Sequence, residues 1–421
     1  MNKKTYQSFL QLLKDELIPA MGCTEPIALA YASALAKKYL GENPVAVEVI
    51  VSKNIMKNVK SVIVPNTHGL KGISAAVVTG IIAGNSNLVL EVISKVTKKQ
   101  LQDIKSILKT LPIIIKESCS DNPLDIKVTL KGEQHCTCVQ IIGEHDNVTL
   151  IQKDDLVILK KPYQKNDKAN PPHLSVKEIV NFANHVDIHD VEKIIDRQID
   201  YNVAIAEEGL SHSYGANIGQ IMLKTYGHSP ANLAKVYASA AADARMSGCN
   251  LPVIINSGSG NQGLTVSLPV IIYARELHVS HDNLIRALTI ANLVNIHLKT
   301  GIGRLSAFCG ATCAGVGAGA GICYFYKNEM KAYEHTIVNG LVINSGLICD
   351  GAKPSCAAKI ASSVDAGLLG LEMALNNSEF CAGEGIVSDD VEKTIENICQ
   401  LASKGMKETD TEIIELMTKH C

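Results

Sequence analysis

The chain has 421 residues, of which 46% are hydrophobic, and this is enough to build a large buried core. Charged residues make up only 19% and the net charge is −2, which excludes a basic nucleic-acid-binding surface and a charged membrane-binding tail. The 13 cysteines are an odd number, and the first residues lack a secretory pattern. We therefore expect a cytoplasmic protein with reduced thiols rather than a disulfide scaffold.

The first 160 residues alternate between helical and strand-like patterns. Apolar periodicity and helix-start signals predict helices over residues 5–18, 26–40, 72–84 and 98–108. Runs rich in β-branched residues predict strands over residues 45–51, 89–96, 113–117, 124–130, 136–143 and 147–153. The last four strands are expected to form an antiparallel sheet.

Residues 160–172 carry three prolines and many polar side chains, a composition typical of a linker. The chain beyond them is Ala-rich, sparsely charged and mostly helical in pattern. The sequence therefore predicts an α+β fold in two domains, an α/β lobe with an antiparallel sheet (1–172) and a mainly helical lobe (173–421). The uncharged residues 305–326 could span a bilayer by length, but their Gly and Ala content, including GVGAGAG, favours close helix packing in a core.

Four cysteines lie in low-charge loops that are flanked by glycines: Cys23 in MGCTEP, Cys309 in FCGATC, and Cys349 and Cys356 in CDGAKPSC. An iron–sulfur cluster needs thiolates that converge from turns, and glycines let the backbone approach the cluster sulfurs. The spacing matches no standard ferredoxin or zinc pattern. On spacing alone, the cysteines are either cluster ligands or small buried hydrophobic residues.

Cys23 directly precedes a helix-start signature made of Thr24, Glu25 and Pro26. A thiol at a helix N-terminus is biased towards the thiolate, which suits a proton acceptor. Cys23 could equally be a small capping residue. The same helix end could instead receive a substrate carboxylate, which makes Thr24 and Glu25 candidate binding residues.

The segment NSGSGNQG follows an apolar, strand-like run and exposes backbone N–H groups through its glycines. Such a loop could cradle a carboxylate, although an ordinary turn has a similar composition. It lacks the lysine of a nucleotide-binding P-loop. A second loop, NTHGLKG, also precedes a predicted helix. The candidate binding residues in the two loops are Ser257, Gly258, Ser259, Gly260, Asn261, Gln262, Asn66 and Thr67.

Taken together, MGCTEP, NSGSGNQG, the Cys309 loop and CDGAKPSC resemble the L-cysteine desulfidase family, in the same order, between residues 17 and 386. That family is related to the α-domain of iron–sulfur L-serine dehydratases. The resemblance implies a [4Fe–4S] cluster held by only three cysteines, which match Cys309, Cys349 and Cys356. Cys313 is the alternative first ligand. The resemblance also implies that Cys23 is the catalytic residue.

A three-cysteine cluster leaves one iron open, and the resemblance implies that this iron acts as a Lewis acid. The implied reaction is a non-redox β-elimination that converts L-cysteine to sulfide, ammonia and pyruvate. The expected partner is a small amino-acid substrate, with no nucleic acid and no membrane, and homo-oligomerisation is left open. The alternatives are an iron–sulfur L-serine dehydratase and a non-enzymatic iron–sulfur sensor or binding protein. A ligand role for Cys421, at the chain end, also stays open.

Overall fold

The structure is a computed structural model that describes residues 3–163 and 174–418. Most of the predicted linker, and Cys421, lie outside these residues. Its helices are α1 (Lys3–Glu16), α2 (Thr24–Leu40), α3 (Lys53–Val59), α4 (Gly72–Ala83), α5 (Lys98–Thr110), α6 (Val176–His185), α7 (Ile188–Ser211), α8 (Ile218–Tyr226), α9 (Pro230–Met246), α10 (Gly260–Glu276), α11 (His281–Ile302), α12 (Gly310–Tyr326), α13 (Met330–Ile343), α14 (Cys356–Leu375), α15 (Val391–Gln400) and α16 (Lys407–Thr418). Its strands are β1 (Pro19–Met21), β2 (Ala46–Val51), β3 (Ile113–Glu117), β4 (Asp125–Lys131), β5 (Cys136–Ile142), β6 (Val148–Lys153), β7 (Leu156–Lys160) and β8 (Pro252–Ile254).

The N-terminal half carries a six-stranded sheet in the order β3-β2-β4-β5-β6-β7. Buried and less buried residues alternate along β2, β4 and β5, because successive side chains of a strand point to opposite faces. Helix α2 packs on the sheet through β4 and β5. The α+β prediction is confirmed: this half holds the sheet, and the chain beyond residue 174 is mainly helical.

Two local predictions in this half are wrong. Residues 89–96 do not form a strand: Ser86–Glu91 is a short 3₁₀ helix capped by Asn85, and it packs against α2. Tertiary packing here overrides the β-propensity of the apolar run. Strand β3 also pairs in parallel with β2, since a helical crossover, not a hairpin, connects them. The remaining neighbours in the sheet pair antiparallel.

Helix α12 lies at the centre of the helical half, where it packs against α10, α11, α13 and α14. Its glycines are needed for this close packing: a Cβ atom added to Gly315 would lie 2.1 Å from the Ser363 carbonyl oxygen, and one on Gly319 would lie 2.5 Å from that of Gly367. The prediction that GVGAGAG is a packing seam is confirmed. Within the described residues, no helix has both the length and the apolar character needed to cross a membrane.

Short backbone pairings between distant segments bring the predicted functional loops together. Strand β1 pairs antiparallel with β8, and Thr24 Oγ1 donates to the Gly258 carbonyl oxygen at 3.1 Å, so the segment after Cys23 contacts the loop at residues 256–259. Phe308 and Ile348 form an isolated antiparallel bridge, which joins the loop before α12 to the loop after α13. The two-domain division at residue 172 stays a prediction.

Candidate active site

Four segments that precede or begin helices meet at one cavity of about 110 Å³. Helices α2, α10 and α12 begin directly after Cys23, Ser259 and Cys309, and α14 begins at Cys356. Helix N-termini carry unpaired N–H groups and a partial positive charge, so their convergence favours an anionic ligand. The sequence-predicted residues that line the cavity are Cys23, Thr24, Glu25, Gly258, Ser259, Asn261, Gln262, Cys309, Cys349 and Cys356.

Backbone pairing holds Cys309 and Cys349 side by side. The Cys309 N–H donates to the Leu347 carbonyl oxygen at 2.9 Å, and the Cys349 N–H donates to the Ala307 carbonyl oxygen at 2.6 Å. Hydrogen bonding from the Cys309 thiol lowers the pKa of Cys349 to about 6, and the cations of Lys57 and Lys299 act in the same direction. One thiol of the pair is therefore readily ionised.

Cys356 completes the group of three because α14 packs along α12, whose first residue follows Cys309. Cys313 lies one turn further along α12, is fully buried and does not line the cavity. Burial raises the pKa of the Cys313 thiol to about 12. The structure thus puts Cys309, rather than Cys313, on the cavity wall.

A buried ammonium group faces these thiols. Lys299 is only 4% exposed and lines the cavity, and burial lowers its pKa although the Cys313, Cys349 and Cys309 thiols oppose this. The ionisable groups with the largest influence on it are these three thiols, followed by Arg304. A buried ammonium without a carboxylate partner is costly, so the site suits an anionic group. Three convergent cysteines beside this buried cation fit a [4Fe–4S] cluster that is held by three thiolates.

Cys23 and Glu25 form a hydrogen-bonded pair at the same cavity. The Cys23 Sγ donates to Glu25 Oε2 at 2.9 Å, and Cys23 is the N-cap residue of α2. Burial and the Glu25 carboxylate raise the pKa of Cys23 well above its ordinary value. The expectation that the helix start makes Cys23 a thiolate needs correction, because burial beside a carboxylate outweighs the helix dipole.

The Glu25 carboxylate is buried and accepts hydrogen bonds from three side chains. Besides Cys23, Thr24 Oγ1 donates to Oε2 at 3.2 Å and Asn58 Nδ2 donates to Oε1 at 2.9 Å. Burial opposes its ionisation, but the nearby His145 and the Cys23 hydrogen bond outweigh burial and lower the pKa of Glu25. Glu25 is therefore held as a carboxylate inside the protein.

Arg245 joins the loop at residues 256–263 to the Cys23 side of the cavity. Its guanidinium is 2% exposed, and its Nη1 donates to Asn261 Oδ1 at 2.8 Å. Of the neighbouring ionisable groups, Cys23 and Glu25 have the largest influence on the pKa of Arg245, and both favour its charged form. Gly260 is needed at this point, because a Cβ atom there would lie 2.3 Å from Arg245 Nε.

Four of the predicted binding residues do not line the cavity. Ser257 donates from its hydroxyl to Asn256 Oδ1 at 2.8 Å, and Gly260 packs on Arg245. Asn66 Nδ2 donates to the Ile93 carbonyl oxygen at 2.8 Å, and Thr67 Oγ1 donates to that of Val64 at 2.6 Å. These side chains shape the loops behind the cavity, and substrate contact by them stays a prediction.

Residues 87–415 match the sequence model of the serine dehydratase alpha chain family. The chain belongs to this family. It is also 51% identical to a UPF0597 protein of Desulfitobacterium hafniense, over 99% of this chain and 97% of that protein. A UPF0597 protein of Lachnoclostridium phytofermentans is 47% identical, over 98% and 99% of the two chains. A UPF0597 protein of Aeromonas hydrophila is 38% identical, over 99% and 97%.

In this member of the serine dehydratase alpha chain family, sequence reasoning missed six polar residues that line the cavity, namely Asn58, Arg245, Lys299, Arg304, Ser306 and Lys359. The sequence does contain a signal for two of these residues, because Arg245 and Lys299 are charged residues within long helical stretches that carry few charges. Buried charges need a partner or a ligand, so such positions are candidates for a site. Asn58 carries no comparable signal, because it lies in an ordinary polar helix.

Proposed function

We propose that this chain is an iron–sulfur L-cysteine desulfidase, which catalyses the non-redox β-elimination of L-cysteine to sulfide, ammonia and pyruvate. The observation that carries the proposal is the cavity that Cys23 shares with Cys309, Cys349 and Cys356, next to the buried ammonium of Lys299. Membership in the serine dehydratase alpha chain family supports a lyase, since dehydration and desulfuration are both β-eliminations.

Cys309, Cys349 and Cys356 would hold the [4Fe–4S] cluster. When bound through three cysteines, the cluster supplies an iron with an open coordination position, which stabilises the negative charge on a leaving sulfur. The buried Lys299 ammonium adds positive charge at the same place.

Cys23 supplies the base. It takes the Cα proton of the substrate as a thiolate, a form that the Arg245 guanidinium favours and that burial and Glu25 oppose. The Cα electrons form the Cα–Cβ double bond as the Cβ–S bond breaks and sulfide leaves. The resulting aminoacrylate tautomerises to an imine, which water hydrolyses to pyruvate and ammonia.

Arg245 is the side chain best suited to the substrate carboxylate. Its guanidinium is buried at the cavity, and arginine binds carboxylates through paired hydrogen bonds. Asn261 holds the guanidinium by accepting from Nη1. A substrate carboxylate at Arg245 would keep the Cα atom close to Cys23, which the proton transfer requires.

An L-serine dehydratase is the second candidate, because the family that matches is named for that reaction. It would use the same cavity with hydroxide as the leaving group. A non-enzymatic iron–sulfur sensor or binding protein is the third.

The test is anaerobic reconstitution of the cluster, followed by assay of sulfide and pyruvate with L-cysteine and with L-serine. Equal amounts of sulfide and pyruvate from L-cysteine are expected. Pyruvate from L-serine alone would favour the dehydratase. No product from either amino acid, with the cluster intact, would favour the sensor or binding protein.

A further inference from the structure

The Asn58 carboxamide has one fixed orientation. Its Nδ2 donates to Glu25 Oε1 at 2.9 Å, and an ionised carboxylate can only accept hydrogen bonds. The amide nitrogen must therefore face Glu25, which leaves Oδ1 on the other side. This settles the oxygen and nitrogen positions, which geometry alone often leaves ambiguous in Asn side chains.

The Oδ1 atom of Asn58 is a buried acceptor that lacks a donor. Asn58 is 7% exposed and lines the cavity, and its Oδ1 has no hydrogen-bond partner within residues 3–163 and 174–418. An unsatisfied buried acceptor destabilises a protein, and natural proteins contain few of them. At a cavity wall, the missing donor is most simply a group of the ligand.

The charge around Asn58 indicates which donor fits. The Glu25 carboxylate lies directly behind the amide and accepts from it, so this part of the cavity attracts a positive charge. The Arg245 guanidinium lines the same cavity and attracts a negative charge. Asn58 Oδ1 and Glu25 provide acceptors and Arg245 provides a cation. Together these groups are complementary to the ammonium and carboxylate of an amino acid.

We propose that Asn58 Oδ1, backed by Glu25, accepts a hydrogen bond from the α-ammonium group of the substrate. Asn58 is then the residue that restricts the site to 2-amino acids and excludes thiol acids without an amino group, such as 3-mercaptopropionate. This assignment rests on the proposed function only in taking the ligand to be a small thiol-containing amino acid. It concerns recognition, and therefore can be tested by binding without turnover.

The test measures anaerobic binding of L-cysteine and of 3-mercaptopropionate to the cluster-loaded protein by calorimetry. The Asn58→Leu variant keeps the size of the side chain but removes the acceptor, and we expect L-cysteine affinity to fall by about 10- to 100-fold, the usual value of a hydrogen bond to a charged group. Affinity for 3-mercaptopropionate should change by less than about threefold, since it presents no ammonium.

Two further variants keep the test decisive. Asn54→Leu removes an amide from the same helix that donates to Asp410 and does not line the cavity, so it should preserve the wild-type ratio of the two affinities. Asn58→Ser keeps a hydroxyl donor towards Glu25 without the amide oxygen, and serves if the Leu variant does not fold. It should lose the same discrimination.

Equal weakening of both ligands in the Asn58 variants, or unchanged L-cysteine binding, would overturn the assignment. If L-cysteine binds with the expected dependence on Asn58 but is not converted, the proposed desulfidase reaction fails and the assignment stands. If L-cysteine is converted and the Asn58 variants discriminate as the wild type does, the reaction stands and the assignment fails. If wild-type protein binds no L-cysteine, both fail.

Discussion

Two groups of cysteines at the cavity lie beside side chains of opposite charge. In the first group, the thiol wall formed by Cys309, Cys349 and Cys356, the Lys57 ammonium donates to the Cys349 carbonyl oxygen at 3.3 Å, and the buried Lys299 ammonium acts on the thiols. Cys23 instead donates a hydrogen bond to the Glu25 carboxylate. The same type of side chain is thus held for two tasks.

This contrast in charge distinguishes the proposed ligands from the proposed base. The Cys309 hydrogen bond and nearby cations lower the pKa of Cys349 to about 6, whereas the Cys349 hydrogen bond and burial raise the pKa of Cys309, and burial raises that of Cys356. Metal ligation requires thiolates, so cluster binding would release the protons of Cys309 and Cys356. Burial and a carboxylate also raise the pKa of Cys23. We therefore propose that Cys309, Cys349 and Cys356 bind the cluster and that Cys23 moves a proton.

The largest effect is expected from removing a ligand on the thiol wall. Cys349→Ala should abolish both the brown cluster absorbance and the formation of sulfide, because two thiolates cannot hold the cluster at this site. Absorbance spectra and product assays after anaerobic reconstitution measure both. The matched control is Cys313→Ala, which removes a buried thiol that does not line the cavity and should retain the cluster. Loss of the cluster in this control would make Cys313, rather than Cys309, the ligand on α12.

Cys23→Ser tests the proposed base. The hydroxyl keeps the size of the side chain but ionises far less readily than a thiol, so turnover should fall by about 10²- to 10⁴-fold, as is typical when a general base is lost. The cluster spectrum should be unchanged at rest and should still respond to L-cysteine. A changed resting spectrum would make Cys23 a cluster ligand, and near-normal turnover would leave it a helix cap.

Gly260→Ala should weaken substrate binding without removing any functional group. The added Cβ would meet Arg245 Nε at 2.3 Å and push the guanidinium out of position. We expect KM for L-cysteine to rise about tenfold with a smaller change in kcat, as when a binding interaction common to ground and transition states is lost. Gly346→Ala is the control, since its Cβ would meet nothing within 4 Å. A selective fall in kcat would instead link Arg245 to the chemical step.

Lys299→Met should have the smallest effect, and it should act in opposite directions on the apoprotein and on the cluster-loaded protein. Without the cluster, the variant removes a buried cation whose main neighbours are thiols, so the free energy of unfolding should rise by about 1–2 kcal/mol. With the cluster, it removes a compensating positive charge, so the cluster should be harder to reduce and easier to lose. Urea unfolding of the apoprotein and a redox titration of the loaded protein measure these effects. Destabilisation of the apoprotein would mean that Lys299 serves packing instead.

Much of the architecture could be predicted from local pattern. The helix start after Cys23 follows from its Thr-Glu-Pro signature, and the packing role of GVGAGAG follows from the absence of a strand before it. The parallel pairing of β3 and the 3₁₀ helix at Ser86–Glu91 could not be predicted, because both depend on contacts made by distant parts of the chain.

The candidate site, too, could be predicted only in part. Glycine-flanked cysteines indicate its loops in the sequence, and the resemblance to a known family implied the roles of these cysteines. Arg245, Lys299 and Asn58 enter the cavity from helices that meet it only in the folded chain. No local sequence pattern predicts that these residues enter the cavity. The effect of Glu25 on the protonation of Cys23 also depends on burial, which the sequence does not reveal.

We propose above all that Cys309, Cys349 and Cys356 bind the cluster and leave one iron open to the substrate. Mössbauer spectroscopy of protein reconstituted with isotopically enriched iron tests it most directly. We predict that one iron of the four differs from the other three and that L-cysteine changes the signal of that iron alone. Four irons with the same cysteine ligation and no response to L-cysteine, or no cluster after anaerobic reconstitution, would contradict it.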